Sequence, residues 1–220
     1  MNVLIVGAHP DDELLGVGGT ALVHSTRGDH VQAAIICEGV SVRYGQQRDA
    51  EVAEEAERAA KVLGLAKPVL VGLPEQRLDT LPLIDVIQKV ETLVKRYRPE
   101  VVYTHFAGDM NRDHRVVSEA VLVATRPCAA PFVKEVLMFE IPSSTEWGSA
   151  YLLPSFQPAL FVDITPHLEA KIAAFRCYSR EVCENPHPRS PEALRARAGY
   201  WGSTICRPAA EAFVVARAIR

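Results

Sequence analysis

The chain has 220 residues, 48% of them hydrophobic and 23% charged, with a formal net charge of −3. This is the balance of an ordinary soluble globular protein, long enough to bury a sizeable core. The missing basic surplus excludes a nucleic-acid footprint, and no window approaches the ~20 apolar residues of a membrane span.

Residues 3–8, "VLIVGA", form a continuous apolar run, as in a strand buried on both faces. No basic region or long apolar stretch precedes it, so a cytoplasmic location is expected. "ELLGVGGTALVHSTRG" reads as a helix ending near Gly28, and "HVQAAIICEG" as a second strand. "AEVAEEAERAAKVLGL" is a strongly amphipathic helix with Gly64 near its C-terminal end. "KPVLVGLP" gives a third strand, and "LPLIDVIQKVETLVKRYRPE" a helix with Leu83, Ile87, Val90 and Val94 on one face. "VVYTHFAGD" is a fourth strand, and "HRVVSEAVLVATRP" a helix closed by Pro127. "VKEVLMFEIP" and "PALFVDITP" follow as strands, then "HLEAKIAAFRCYSRE" as a helix, then a loop, a helix and a short closing strand. The alternation argues for an α/β fold of βαβ units, a mainly parallel sheet covered by helices. No linker splits residues 1–220, which read as one domain.

Five cysteines without CxxC spacing point to a reducing compartment, with Cys37 and Cys128 as packed thiols. His24, His30 and His167 read as solvent-facing.

Ligands in open α/β sheets bind beyond the carboxyl ends of the strands. Three polar clusters fall at such ends: His9 to Asp12, Glu38-Gly39, and His105 to Asp109. His9 and Asp12 supply two of the three nitrogen and oxygen ligands that a catalytic zinc site uses, with water in the remaining position. His114 in "GDMNRDHR" is the candidate third. Its neighbour Asp113 is suited to orienting a ligand from behind. Asp11, beside a ligand, is free to take a proton from water, and the helix N-terminus that follows it favours its anion. The plainer alternative makes Asp11 or Asp12 and Asp113 helix N-caps and His9 a core histidine. "GVGG" after a strand also suggests a dinucleotide loop, but the tight turn here is His-Pro-Asp-Asp, which repels a pyrophosphate.

"AHPDDE" followed about 100 residues later by "GDMNRDH" resembles the LmbE/PIG-L family of zinc-dependent N-acetylglucosaminyl deacetylases. The resemblance implies a Rossmann-like three-layer fold and a substrate that is an N-acetyl sugar or glycoconjugate. It implies zinc held by His9, Asp12 and His114, although such donors accept several divalent ions. It implies Asp11 as general base. Relatives of that family often assemble into homo-oligomers. One departure matters: many members have a histidine where this chain has Asn111, and an amide cannot shuttle a proton near neutral pH. Either Asp11 then acts as both base and acid, or another residue supplies the second group, and His187 in "ENPHPRS" is the candidate donor to the leaving amine. Arg189 in the same loop is suited to gripping a sugar hydroxyl or phosphate. Ser143, Ser144 and Trp147 in "FEIPSSTEW" have a composition that suits a sugar ring, and Gln76, Arg77 and Asp79 follow the third strand toward the same rim. Two other functions fit the same residues: an amidase of a thiol–sugar conjugate, and a sugar-binding protein without turnover.

Overall fold

The computed structural model describes residues 1–39 and 49–220. Seven strands form one sheet in the order β3-β2-β1-β4-β5-β7-β6: β1 Asn2–Gly7, β2 His30–Cys37, β3 Val69–Leu73, β4 Val101–His105, β5 Glu135–Phe139, β6 Leu160–Asp163 and β7 Ala210–Ala218. The first five are parallel, and β7 runs antiparallel to both β5 and β6. Among the described residues six helices cover the sheet: α1 Asp12–Thr26, α2 Asp49–Val62, α3 Leu83–Tyr97, α4 Arg112–Ala124, α5 Leu168–Phe175 and α6 Pro191–Thr204. This is the expected α/β fold.

Alternation along the strands makes two cores. Val3 and Ile5 of β1 point to a cluster with Leu14, Ala59, Phe175 and Leu194, from α1, α2, α5 and α6. Leu4 and Val6 point the other way, to a cluster with Val86, Val90, Val117 and Val121 from α3 and α4. Both faces of β1 are therefore dry, which is why its sequence is apolar without interruption.

Strand order reverses beside β1, since β2 lies on one side of it and β4 on the other. Chains leaving β1 and β4 diverge there and open a crevice at their carboxyl ends. The His-Pro-Asp-Asp turn and the His105–His114 segment meet in that crevice.

Several local expectations are corrected. The helix expected over 167–181 ends at Phe175, where Cys177 and Tyr178 amides bond three residues back to Ala174 and Phe175. Such bonds tighten the last turn, and they leave Tyr178 free to turn inward. The closing strand is not short: β7 has nine residues and inserts between β5 and β6. Cys128 is exposed rather than packed, while Cys37 is buried as expected. His24 is also buried, between Asp29 at 2.7 Å and the Tyr103 hydroxyl at 2.9 Å, rather than facing solvent. Among the described residues, no helix is long and apolar enough to cross a membrane.

Candidate active site

The turn after β1 is closed by its own side chains. The His9 amide donates to Asp12 Oδ2 at 2.7 Å, and the Ala8 amide donates to His105 Nε2 at 2.8 Å. Gly39, after β2, lies against Pro10 of this turn with φ +82; a Cβ there would sit 2.5 Å from the Pro10 ring. Only glycine meets both demands.

Asp12, in the first turn of α1, is fully buried, and its Oδ2 lies 3.5 Å from both His9 Nδ1 and His114 Nε2 and 3.2 Å from His105 Nε2. His114, in the first turn of α4, brings its Nε2 to 3.1 Å from His9 Nδ1. The far nitrogens of both rings face carboxylates. His9 Nε2 is 3.0 Å from Asp113 Oδ2, and His114 Nδ1 lies 3.1 Å from Asp109 Oδ1, though poorly aligned for a hydrogen bond.

With each outer nitrogen carrying its proton toward a carboxylate, both inner lone pairs converge beside Asp12. Two lone pairs 3.1 Å apart repel unless a proton or a metal lies between them. Asp12 Oδ1 is buried and has no hydrogen-bond partner. The donors of His9, Asp12 and His114 lie within 4.8 Å of one another, so this set fits a metal ion. His9, Cys37 and Asp113 form a second such group around the other nitrogen of the same ring.

The charges follow the geometry. Burial disfavours the His9 cation, but bonds to Asp113 and Asp12 outweigh it and raise the ring well above its usual pKa. Asp12 is held well below the carboxylate range, because His114 and His105 outweigh its burial. His105 is driven down to about 4 by burial and by His114, on which it stacks at 4.0 Å. Asp109 falls to about 2, burial being outweighed by His114 and by the hydroxyls of Ser144 and Thr145.

Asp11 occupies the N-cap position of α1 but makes no capping bond. Burial pushes its carboxyl well above the usual range, and Arg189, 2.8 Å away, opposes this most strongly. The counter-charge at Asp11 is therefore a guanidinium rather than the helix terminus alone. Asn111, by contrast, is a true N-cap: its side chain accepts from the Asp113 amide at 2.9 Å.

A cleft opens over this cluster, lined by His9, Asp11, Gln76, Asn111, Tyr178, Arg180, Glu181 and Arg189, with Glu51 and Glu55 of α2. Of the "ENPHPRS" loop, Arg189 reaches in, bonded also to Glu181 at 2.6 Å and Ser143 Oγ at 2.8 Å. His187 is not among the lining residues; its Nδ1 accepts the Arg189 amide at 3.1 Å. Ser144 is buried with its hydroxyl on Asp109. Trp147 is 57% exposed, and neither it nor the exposed Arg77 lines the cleft. Asp79 sits outside as well, 4.0 Å from Arg112.

Sequence reasoning gave no role to His105, Asp109, Glu13 or Tyr178. His105 and Asp109 stood in a cluster already flagged at a strand end, and Glu13 ends the "HPDDE" run. Tyr178 offered no such signal, since its partner Glu13 is 165 residues away.

A scan of family models matches residues 4–125 to PIG-L, described as GlcNAc-PI de-N-acetylase. Among curated proteins, the chain is 29% identical over 180 residues to the uncharacterized deacetylase YaiS of Escherichia coli, covering 79% of this chain and 88% of that one. It is 26% identical over 212 residues to diacetylchitobiose deacetylase of Thermococcus kodakarensis, covering 91% and 77%. Among solved structures it is similar to the conserved protein TT1542 of Thermus thermophilus, with TM-score 0.80, 26% identity, and 100% and 96% of the two chains covered. The matched segment spans more than half of the 220 residues and carries His9, Asp11, Asp12 and His114. This chain belongs to the PIG-L family of de-N-acetylases.

Proposed function

We propose that this protein is a zinc-dependent N-deacetylase that hydrolyses the acetamide of an N-acetylglucosamine-type sugar or glycoconjugate. One observation carries the reading: His9, Asp12 and His114 converge on one point, while Asp11 stands beside them without being needed as a ligand. A pure sugar binder has no use for that extra carboxylate. Zinc held by His9, Asp12 and His114 supplies Lewis acidity that polarises an amide carbonyl and acidifies water.

The chain's own residues account for the remaining steps. Asp113 fixes the ring of His9 by a hydrogen bond, and Asp109 sets a carboxylate beside Nδ1 of His114. Asp11 removes a proton from the attacking water as oxygen adds to the acetamide carbon. Arg189, 2.8 Å away, opposes the cost that burial puts on the ionised form of Asp11. Protonated Asp11 then returns the proton to the amide nitrogen as the C–N bond breaks, releasing acetate and the amine. Asn111 does not replace it, because an amide does not give up a proton near neutral pH; its oxygen caps α4 at the Asp113 amide. His187 serves as donor only if its ring leaves the Arg189 amide and turns into the cleft.

The test is acetate release by the zinc-loaded protein from N-acetylglucosamine and N,N′-diacetylchitobiose. Turnover is expected with zinc and lost on chelation. Binding of these sugars without acetate release points to a non-catalytic protein, and release only from a thiol–sugar conjugate points to the amidase.

A further inference from the structure

Asp11 has φ 102° and ψ −27°, on the left-handed side that residues with a Cβ avoid. Conformations of this kind are strained and persist only where the surroundings hold them. Arg189 holds the Asp11 carboxylate, but a side-chain ion pair does not fix a peptide plane. The Asp11 amide does have an anchor: it donates to Glu13 Oε2 at 3.1 Å. The other oxygen of Glu13 accepts the Tyr178 hydroxyl at 2.6 Å. Both side chains are buried, Glu13 at 5% exposure and Tyr178 at 1%. Tyr178 comes from the tightened turn after α5, so the C-terminal half of the chain reaches the Asp11 backbone through Tyr178 and the Glu13 carboxylate it holds.

We propose that Glu13 and Tyr178 are positioning residues for deacetylation: Tyr178 holds Glu13, and Glu13 holds the left-handed backbone of Asp11, which aims its carboxylate at the reacting centre. The proposal rests on the deacetylase reading. Without the anchor, the Asp11 peptide relaxes toward an ordinary negative φ and the carboxylate swings away, though Arg189 and the metal ligands remain. Displacement of a reacting group by about 1 Å costs on the order of 100-fold in rate.

The experiment uses the zinc-loaded protein and N,N′-diacetylchitobiose. Tyr178→Phe keeps the buried ring and removes only the hydroxyl. It is expected to lower kcat about 10- to 100-fold, with KM within about threefold and zinc content retained. Glu13→Gln is the conservative rescue. Its carbonyl accepts the Asp11 amide and its NH2 donates to the Tyr178 oxygen, so kcat stays within about fivefold of wild type. Glu13→Ala falls as far as Tyr178→Phe, and the double variant falls no further, because the two act as one chain. An activity-independent readout is hydrogen exchange at the Asp11 amide by NMR. It is expected to accelerate by about tenfold or more in Tyr178→Phe and Glu13→Ala, with the rest of α1 unchanged.

A wild-type kcat in Tyr178→Phe overturns the proposal, as does faster exchange spread evenly over α1, which marks mere destabilisation. If Glu13→Ala does not fold, Tyr178→Phe and Glu13→Gln carry the comparison. If the wild type releases no acetate while Asp11 exchange responds as described, the backbone anchor stands and the deacetylase reading falls.

Discussion

At the scale of single residues, the site is a set of carboxylates whose neighbours give them different tasks. Asp12 is surrounded by imidazoles and Asp11 by one guanidinium, so adjacent residues of identical chemistry diverge. Asp11→Asn is therefore expected to keep its zinc and lose acetate release by about 10²–10⁴-fold, the usual range for a general base. Paired elemental analysis and kinetics check it. His114→Ala is expected to lose metal affinity outright, which equilibrium dialysis measures. Asp109 yields a pH dependence. Its folded pKa of about 2 lies below the ordinary aspartate value of 3.8, so its stabilisation is present above pH 4 and fades as pH falls toward 2. The difference corresponds to about 2 kcal/mol. Urea denaturation should show wild type losing much of that margin over Asp109→Asn between about pH 5 and about pH 2. The convergence of His9, Asp11, Asp12 and His114 was legible because short spacings put them at strand ends. The tasks of Asp109, His105 and Glu13 were not, because each depends on a partner that only the fold brings near. Arg189 was read as a grip for substrate; it lines the cleft, where it is bonded to Asp11 and Glu181.

At the scale of elements, the helix carrying Asp12 is pressed unusually close to the sheet. A Cβ on Gly16 would lie 2.3 Å from the Phe139 ring of β5, and one on Gly19 2.7 Å from Ile164. The glycines after the first turn thus permit close packing of the helix on the sheet. For Gly16→Ala, a helix-propensity gain of up to ~1 kcal/mol competes with an overpacking cost of typically about 1–3 kcal/mol. Overpacking is expected to win, because Phe139 is fully buried and has nowhere to move. A lower urea midpoint at unchanged m-value checks it. Element order was legible because each apolar run or amphipathic stretch announces its own period. The early end of α5 was not, since "FRCYSRE" continues a helical pattern. The inward pull on Tyr178 comes from Glu13, which no local window contains.

At the scale of the whole molecule, the C-terminal third is tied to the helix that starts the site. Lys171 of α5 donates to the Leu15 carbonyl at 2.8 Å and pairs with Glu211 of β7 at 2.6 Å. Glu211 accepts the amides of Gly19 and Thr20 of α1. Breaking a buried pair from one side costs about 3–5 kcal/mol because it strands the partner's charge, and here Glu211 keeps only the two amides. Lys171→Ala is expected to show a loss of that size in chemical denaturation. The antiparallel insertion of β7 was not legible either, because strand order is a long-range choice that periodicity does not record. That insertion also sets a timetable for synthesis. β1 to β5 can pair in sequence order as they emerge, but β6 has no neighbour except β7. About 70 residues separate the end of β5 from β7. At about 5–20 residues per second, β5 keeps an open edge on the ribosome for on the order of ten seconds. During that interval a nascent chain carries an unpaired apolar strand, so its yield in the cell depends on what shields Glu135–Phe139 until Phe213 arrives.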